Sequence, residues 1–404
     1  MLKSISSHSR YYGSFMNIDL ARIYLGRTKE AWPNLSHMKA AVSWICRAQD
    51  AFGDGGVARS YSLVYNPFFR RKGWTPSYPE TTGYIIPTLF KYASLAGDSA
   101  LFSRAVRMAE WESRVQLENG AVRGGTIDSP PSPAIFNTGQ VIFGWLAAYN
   151  ETGREQFLLS AEKAGEYLVR EQDADGAWRK NLSRFATGKI VTYVYNTRTA
   201  WALAKLYSAD NEIKFLDAAV SNIEFALRQQ NSNGWFKDNC LYRPEEPLTH
   251  TIAYAIRGIL ETGLLLREER YIEAAKKAAD ALLKRQKSDG SLPGTFDDKW
   301  ESTSTWSCLT GNAQAGIIWG RLYQVTGDRG YLSGLKRINE YLKRVQLLDA
   351  KNPDVFGGIC GSYPIHGSYG RFEILNWAVK FFIDSLMTEN EIADHSMSPA
   401  SRAL

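Results

Sequence analysis

Two helical patterns alternate along the chain. In AEKAGEYLVREQ (161–172) and YIEAAKKAADALLKRQ (271–286), apolar residues recur at steps of three and four with Lys and Glu between them. That spacing predicts helices with one dry and one wet face. The second pattern is apolar nearly all round. It occurs in TTGYIIPTLFKYASLAG (81–97), NTGQVIFGWLAAYNETG (137–153), TRTAWALAKLYSA (197–209), THTIAYAIRGILETG (249–263), GNAQAGIIWGRLYQVTG (311–327) and RFEILNWAVKFFIDSLM (371–387). A helix apolar on every side is buried on every side. Six inner helices ringed by six amphipathic ones predict an all-α (α/α)6 toroid, six helical hairpins around a central cavity.

A repeated phrase supports this arrangement. The strings RAQDAFGDGG, VQLENGAVRGG, REQDADGAW, RQQNSNGWF, KRQKSDGSLPG and RVQLLDAKNPDVFGG place Gln49, Gln116, Gln172, Gln230, Gln286 and Gln346 at intervals of 56 to 67 residues. Each interval has room for two helices and their connections. The repeats start near residue 36, so a single domain is expected over 1–388, followed by a polar, frayed tail over 389–404. Turns from inner to outer helices are short and carry stop signals, as in LAGDS, NETGR and VTGDR. The return connections run to about 20 residues or more, a length usually tied to function. All of them must lie on one face, where the inner helices begin and their amide ends attract anions. The site is expected there.

Composition narrows the ligand. Of the 404 residues, 44% are hydrophobic and 13% aromatic, with 12 Trp and 21 Tyr, which supplies both a large core and flat faces for sugars. The net charge of +6 comes from scattered basic residues. This argues against nucleic acid and favours an anionic small molecule or polysaccharide. Cys46, Cys240, Cys308 and Cys360 form no CxxC pair, so neither a disulfide framework nor a zinc ribbon is expected. Cys360 and His366 in CGSYPIH would be two zinc ligands lacking a third, and no cofactor or metal is expected. No apolar run reaches membrane-spanning length and the N-terminal stretch lacks a secretory apolar core, so a cytoplasmic protein is expected.

The phrases QDADGAW and QQNSNGWF resemble the Gln/Trp repeat of the terpenoid cyclase and protein prenyltransferase toroids over about residues 36–388. That resemblance implies the architecture and says little of the reaction. LTHTIAYAIRGILETG and GSYPIHGSYGRFEILNWAVKFF resemble segments of uncharacterised toroid proteins encoded among bacterial exopolysaccharide genes, which implies a role in surface polysaccharide biosynthesis. Motifs for terpene chemistry are missing. FDDKW (Asp297, Asp298) lacks the outer Asp of DxDD, there is no DDxxD, and no Asp, Cys and His set for zinc stands out. A terpene cyclase or prenyltransferase remains an alternative, as does a non-catalytic glycan-binding scaffold.

The polar residues at the starts of the inner helices suit a sugar, whose hydroxyls need many directional donors and acceptors. Substrate binding is expected from Glu80, Tyr84, Asn137, Gln140, Tyr195, Asn196, Asn312, Gln314, Tyr363, His366, Tyr369 and Arg371, with Trp306 and Trp178 as stacking faces. Thr81, Thr138 and Thr249 read as helix caps. Four residues are expected to be catalytic. His250 has Tyr254 one turn later on the same side. Arg198 opens a mostly apolar helix and needs an anionic partner, either Glu80 or Glu373 or a substrate carboxylate. Glu373 is read on the first turn of the last helix, where burial would raise its pKa.

Two mechanisms follow. In a lyase or C5-epimerase, Arg, Asn or His neutralises a uronate carboxylate and Tyr or His takes the C5 proton, as in related α/α-toroid enzymes. In a glycosidase, Glu80 and Glu373 flank the bond. A pairing of His250 with His366 would mimic the sugar 2-epimerases of a similar barrel. The substrate expected in each case is a uronate-containing polysaccharide or its precursor.

Overall fold

The computed structural model describes residues 32–182 and 192–397. Among the described residues twelve α-helices alternate between an outer and an inner layer. The outer helices are α1 (Asn34–Asp50), α3 (Ser99–Val115), α5 (Glu155–Glu171), α7 (Ile213–Arg228), α9 (Glu269–Lys284) and α11 (Arg329–Val345). The inner ones are α2 (Pro79–Ala96), α4 (Ile135–Thr152), α6 (Thr197–Asp210), α8 (Thr249–Leu266), α10 (Leu309–Thr326) and α12 (Asn376–Met397). Each inner helix packs on the next, and α12 returns to α2 and α1. The toroid expected from the two hydrophobic patterns is therefore present. Five of its pairs are consecutive hairpins; the sixth joins the first helix to the last.

Glycine sets how closely the inner helices approach. A Cβ on Gly258 of α8 would lie 2.4 Å from the Thr197 carbonyl carbon of α6, and one on Gly144 of α4 would lie 2.4 Å from the Gly83 carbonyl oxygen of α2. No side chain fits at either contact, so the ring depends on close backbone packing.

The six repeated Gln residues stitch the outer layer together. Gln172 Nε2 donates to Gly176 O in its own turn (3.0 Å) and to Ala218 O of the next outer helix (2.9 Å). Gln49, Gln116, Gln230 and Gln286 repeat the pair, each reaching its own turn and the next outer helix. Gln346 does the same to Gly357 O (3.0 Å) and His37 O (3.1 Å), joining α11 to α1 across the seam. An amide supplies both donors from one planar group, which no other uncharged side chain does.

Three features differ from the sequence expectation. First, a small sheet lies on the long-loop face: β1 (Ser60–Asn66) pairs antiparallel with β2 (Arg71–Trp74) and with β5 (Glu373–Leu375), in the order β2-β1-β5. Glu373 stands opposite Ser62 on this sheet, so the last helix begins only at Asn376. A second pair, β3 (Ser307–Cys308) with β4 (Ser362–Tyr363), sets Ser307 opposite Tyr363.

Second, α12 runs on to Met397 through most of the expected tail. Ile392 is buried there, Glu389 accepts from Asn339 Nδ2 (2.7 Å) and Asn390 accepts from Asn34 Nδ2 (3.0 Å). Third, Thr81, Thr138 and Thr249 make no N-cap bond. Their hydroxyls donate to the carbonyls of Tyr78, Ala134 and Pro293 and so fasten the long loops to the helices.

Candidate functional site

The long loops bring the first turns of the inner helices together around one end of the lumen. On the first turn of α2, the Tyr78 hydroxyl donates to Glu80 Oε2, and Asn137 Nδ2 approaches the same hydroxyl at 3.4 Å. Burial raises the Glu80 pKa to about 7, against the opposing pull of the Tyr78 hydrogen bond and of the Arg59 and Arg198 guanidiniums. Glu80 remains partly accessible. A carboxyl that is half protonated near neutrality and flanked by two arginines is suited to proton transfer beside an anionic ligand.

Arg59 follows the first Gln turn and precedes β1. Its Nη1 lies 3.2 Å from Glu373 Oε2, and its guanidinium stacks 5.0 Å from the Trp377 ring. Glu373 Oε1 accepts from Asn66 Nδ2 (2.8 Å), Ser60 Oγ (3.2 Å) and Ser62 Oγ (3.3 Å). Both oxygens of this carboxylate are therefore engaged, Oε1 by side chains of β1 and Oε2 by Arg59.

Arg198 lies deeper in the lumen. Its Nε donates to Gln140 Oε1 at 2.6 Å, and its guanidinium carbon sits 5.1 to 5.8 Å from the rings of Phe143, Tyr254, Trp201, Phe381 and Tyr84. Burial and the nearby Arg257 lower its pKa to about 10, which leaves it a cation at neutral pH. The aromatic faces replace part of the lost hydration.

His250 packs 4.3 Å from the Tyr254 ring and 5.4 Å from Tyr369, whose hydroxyl accepts from Trp377 Nε1 at 2.8 Å. Its Nδ1 lies 2.6 Å from Gln314 Oε1, so with the amide in this orientation Nδ1 carries the proton. Burial, assisted by Arg198, brings the His250 pKa down to about 3. It is then a neutral acceptor at working pH and a poor general base. Burial likewise raises the phenols of Tyr254 and Tyr84, which face each other.

This depression has a measurable consequence. Neutral in both states above pH 6.5, His250 costs folding stability as the pH falls from 6.5 toward 3, because only the unfolded chain takes up the proton. His250→Asn is expected to flatten the acid side of the stability curve by up to about 1.4 kcal/mol per pH unit. Urea midpoints between pH 6.5 and 4 read the effect, and identical slopes would exclude it.

Several buried polar atoms around this end have no hydrogen-bond partner within the protein: Asn137 Oδ1, both side-chain polar atoms of Asn196, the Tyr195 hydroxyl, Gln314 Nε2 and Arg198 Nη1. Native proteins leave few such groups open, and a polar ligand is one partner that would satisfy them.

The other expected site residues lie elsewhere. Asn312 spends its amide on Leu292 N, Leu292 O and Cys308 O (2.8, 3.2 and 2.7 Å), bracing a loop. Trp178 is fully buried and donates to Leu168 O, so it is core. Trp306 packs against Gly294 and Gly367, where an added Cβ would meet its ring. Tyr363 lies 6.5 Å from Tyr341 of the outer helix α11, turned from the lumen. His366 is exposed, so it does not pair with the buried His250. Arg371 is exposed over its neighbour Phe372.

Sequence reasoning missed Tyr78, Arg59, Trp377 and Phe381. An Arg within the buried stretch around VARSYS was the available signal for Arg59. Among the described residues no three His, Cys, Asp or Glu side chains gather to hold a metal, and no helix is long and apolar enough to cross a membrane.

No family model matches the chain, and no curated protein matches it. Solved structures do. An unsaturated glucuronyl hydrolase specific for heparin is 17% identical with a TM-score of 0.68, covering 89% of this chain and 98% of its own. The unsaturated glucuronyl hydrolase of Bacillus sp. GL1, responsible for glycosaminoglycan degradation, is 16% identical with a TM-score of 0.67, covering 88% and 96%. The cellobiose 2-epimerase of Bacillus thermoamylovorans is 12% identical at the same TM-score, covering 88% and 97%. At such identities the likeness shows the α/α-toroid fold alone.

Proposed function

We propose that this protein is a glycosidase-like enzyme of uronate-terminated glycans, with Glu80 as its acid and base. The observation that carries the reading is Glu80 itself, a carboxyl with a pKa of about 7 held by Tyr78 between Arg59 and Arg198. Ordinary glycoside hydrolysis uses two carboxyl groups. Here Glu373 is tied down by Arg59, Ser60, Ser62 and Asn66, which leaves Glu80 as the working one.

One acid suffices when the substrate carries an unsaturated uronyl end, which is an enol ether. Glu80 would protonate C4, the C4=C5 electron pair forming the new C–H bond and leaving positive charge shared by C5 and the ring oxygen. Water then adds at C5 and returns its proton to Glu80. The resulting hemiketal opens, and the saccharide leaves from C1. Arg59 and Arg198 would hold the uronate carboxylate. Neighbours named for unsaturated glucuronyl hydrolysis support this choice, and the segment resemblance supports a surface-polysaccharide setting. Paired-His epimerisation finds less support, since His366, the histidine expected beside the buried His250, is exposed.

The test is incubation with unsaturated uronyl disaccharides, read as loss of the ultraviolet absorbance of the conjugated double bond. Activity is expected to fall about tenfold per pH unit above about pH 7, as Glu80 loses its proton. Deuterium uptake at C5 of saturated uronates, without loss of absorbance, would move the reaction to epimerisation. Neither signal would leave a glycan-binding scaffold.

A further inference from the structure

We infer a second site, for a phosphate-type oxyanion, further along the lumen from Glu80, built by Arg257, Lys380 and Lys205. It stands apart from the reaction proposed at Glu80. Three inner helices supply it. Helix α6 carries Trp201 and Lys205, α8 carries Arg257 and Glu261, and α12 carries Lys380 and Asp384.

Arg198 and Arg257 share one indole, their guanidinium carbons 5.3 and 5.2 Å from the Trp201 ring. Lys380 Nζ lies 4.2 Å from the Phe381 ring and donates to Asp384 Oδ2 at 2.6 Å. Asp384 also accepts from Thr88 Oγ1 at 2.7 Å. Glu261 is divided between Arg257 (3.5 Å) and Arg321 (3.2 Å). Arg257, Lys380, Lys205 and Arg321 thus share this part of the lumen with two carboxylates, a surplus of positive charge.

Such a surplus is costly without a counter-anion. The guanidiniums cannot relieve it by losing protons. Lys380 partly does: burial, with Arg198 and Arg257 acting against Asp384, brings it down to about 7. Arg257 Nε faces Glu261, while its Nη1 is shielded from solvent and donates no hydrogen bond within the protein. An open guanidinium donor beside two lysine side chains matches the several acceptor oxygens of a phosphoryl group. Access is from the short-turn face, where Lys205 is exposed and Arg257, Arg321 and Asp384 are half-buried. Toward the Glu80 end, the rings of Tyr84, Phe143, Tyr254 and Phe381 pack around Arg198 and form the roof.

Titration of the full chain with inorganic phosphate, followed by calorimetry and by Tm, tests the site, with sodium chloride of equal ionic strength as control. A saturable rise in Tm beyond that of chloride is expected. Affinity should fall at least tenfold in Arg257→Gln and several-fold in Lys205→Gln. The exposed Lys205 variant carries the test should Arg257→Gln fail to fold. Glucose 1-phosphate forms a second arm: tighter binding than phosphate identifies the phosphoryl group of a larger molecule, and weaker binding identifies the free ion. Glu80→Gln should leave phosphate affinity unchanged; a change would place the ion beside Glu80 and overturn the proposal. A response no larger than that of chloride, or affinities unaltered in the Lys205 and Arg257 variants, would overturn it as well.

Discussion

Glu80→Gln is expected to lower kcat on an unsaturated uronyl saccharide by about 10²- to 10⁴-fold, the usual worth of a positioned acid. The replacement keeps the shape of the side chain, and its amide oxygen still accepts from the Tyr78 hydroxyl, so KM should change little. The same substitution should stabilise the protein above neutral pH. A carboxyl whose pKa is raised from 4.5 to about 7 costs folding free energy as the pH rises through that window, because the unfolded chain ionises first. The amide has no such cost. Tm values of the two proteins should therefore agree near pH 4 and separate by pH 8, with the variant higher. Retained activity in Glu80→Gln would remove Glu80 from the reaction, whereas lost activity with a lower Tm at every pH would point to damaged packing.

Gly176→Ala is expected to have the largest effect on stability. Gly176 sits in the third Gln turn at φ +90°, and a Cβ there would lie 2.1 Å from Ser221 O of the outer helix α7. Its own carbonyl accepts from Gln172 Nε2 (3.0 Å) and Asn222 Nδ2 (2.8 Å), so the turn cannot move away without breaking both bonds. Backbone strain and overpacking together should cost about 3 kcal/mol or more. Gly153 supplies the control. It ends α4 at φ +66° with nothing within 4 Å of an added Cβ, so Gly153→Ala should cost only about 1 kcal/mol. Urea unfolding of both variants separates the two contributions, and equal midpoints would show that the contact with α7 is unimportant.

The helical ring was legible because its cause is local. An all-apolar stretch and an amphipathic one declare their layers within a dozen residues, and the Gln phrase marks each return to the same face. The sheet was not legible in this way. SYSLVYN pairs with Glu373–Leu375 across most of the chain, and nothing near Ser60 announces a partner so far away. Arg59 and Glu373 went with it: the expectation put Glu373 on the first turn of the last helix, whereas β1 surrounds it with donors.

Asn137 and Asn312 illustrate a second limit. Both lie on the first turn of an inner helix, and no sequence pattern separates them. The loop passing over Asn312 satisfies its amide completely, while Asn137 Oδ1 is left open. Polar composition at the helix starts therefore could not separate loop braces from side chains with open polar atoms.

The bond from Gln346 to His37 O also bears on how the chain is made. On the ribosome, α1 emerges well before its inner partner α12. Until then α1 has no apolar surface of α12 to cover, and the lumen lies open along one side. Closure of this ring must therefore wait until α12 has been synthesised.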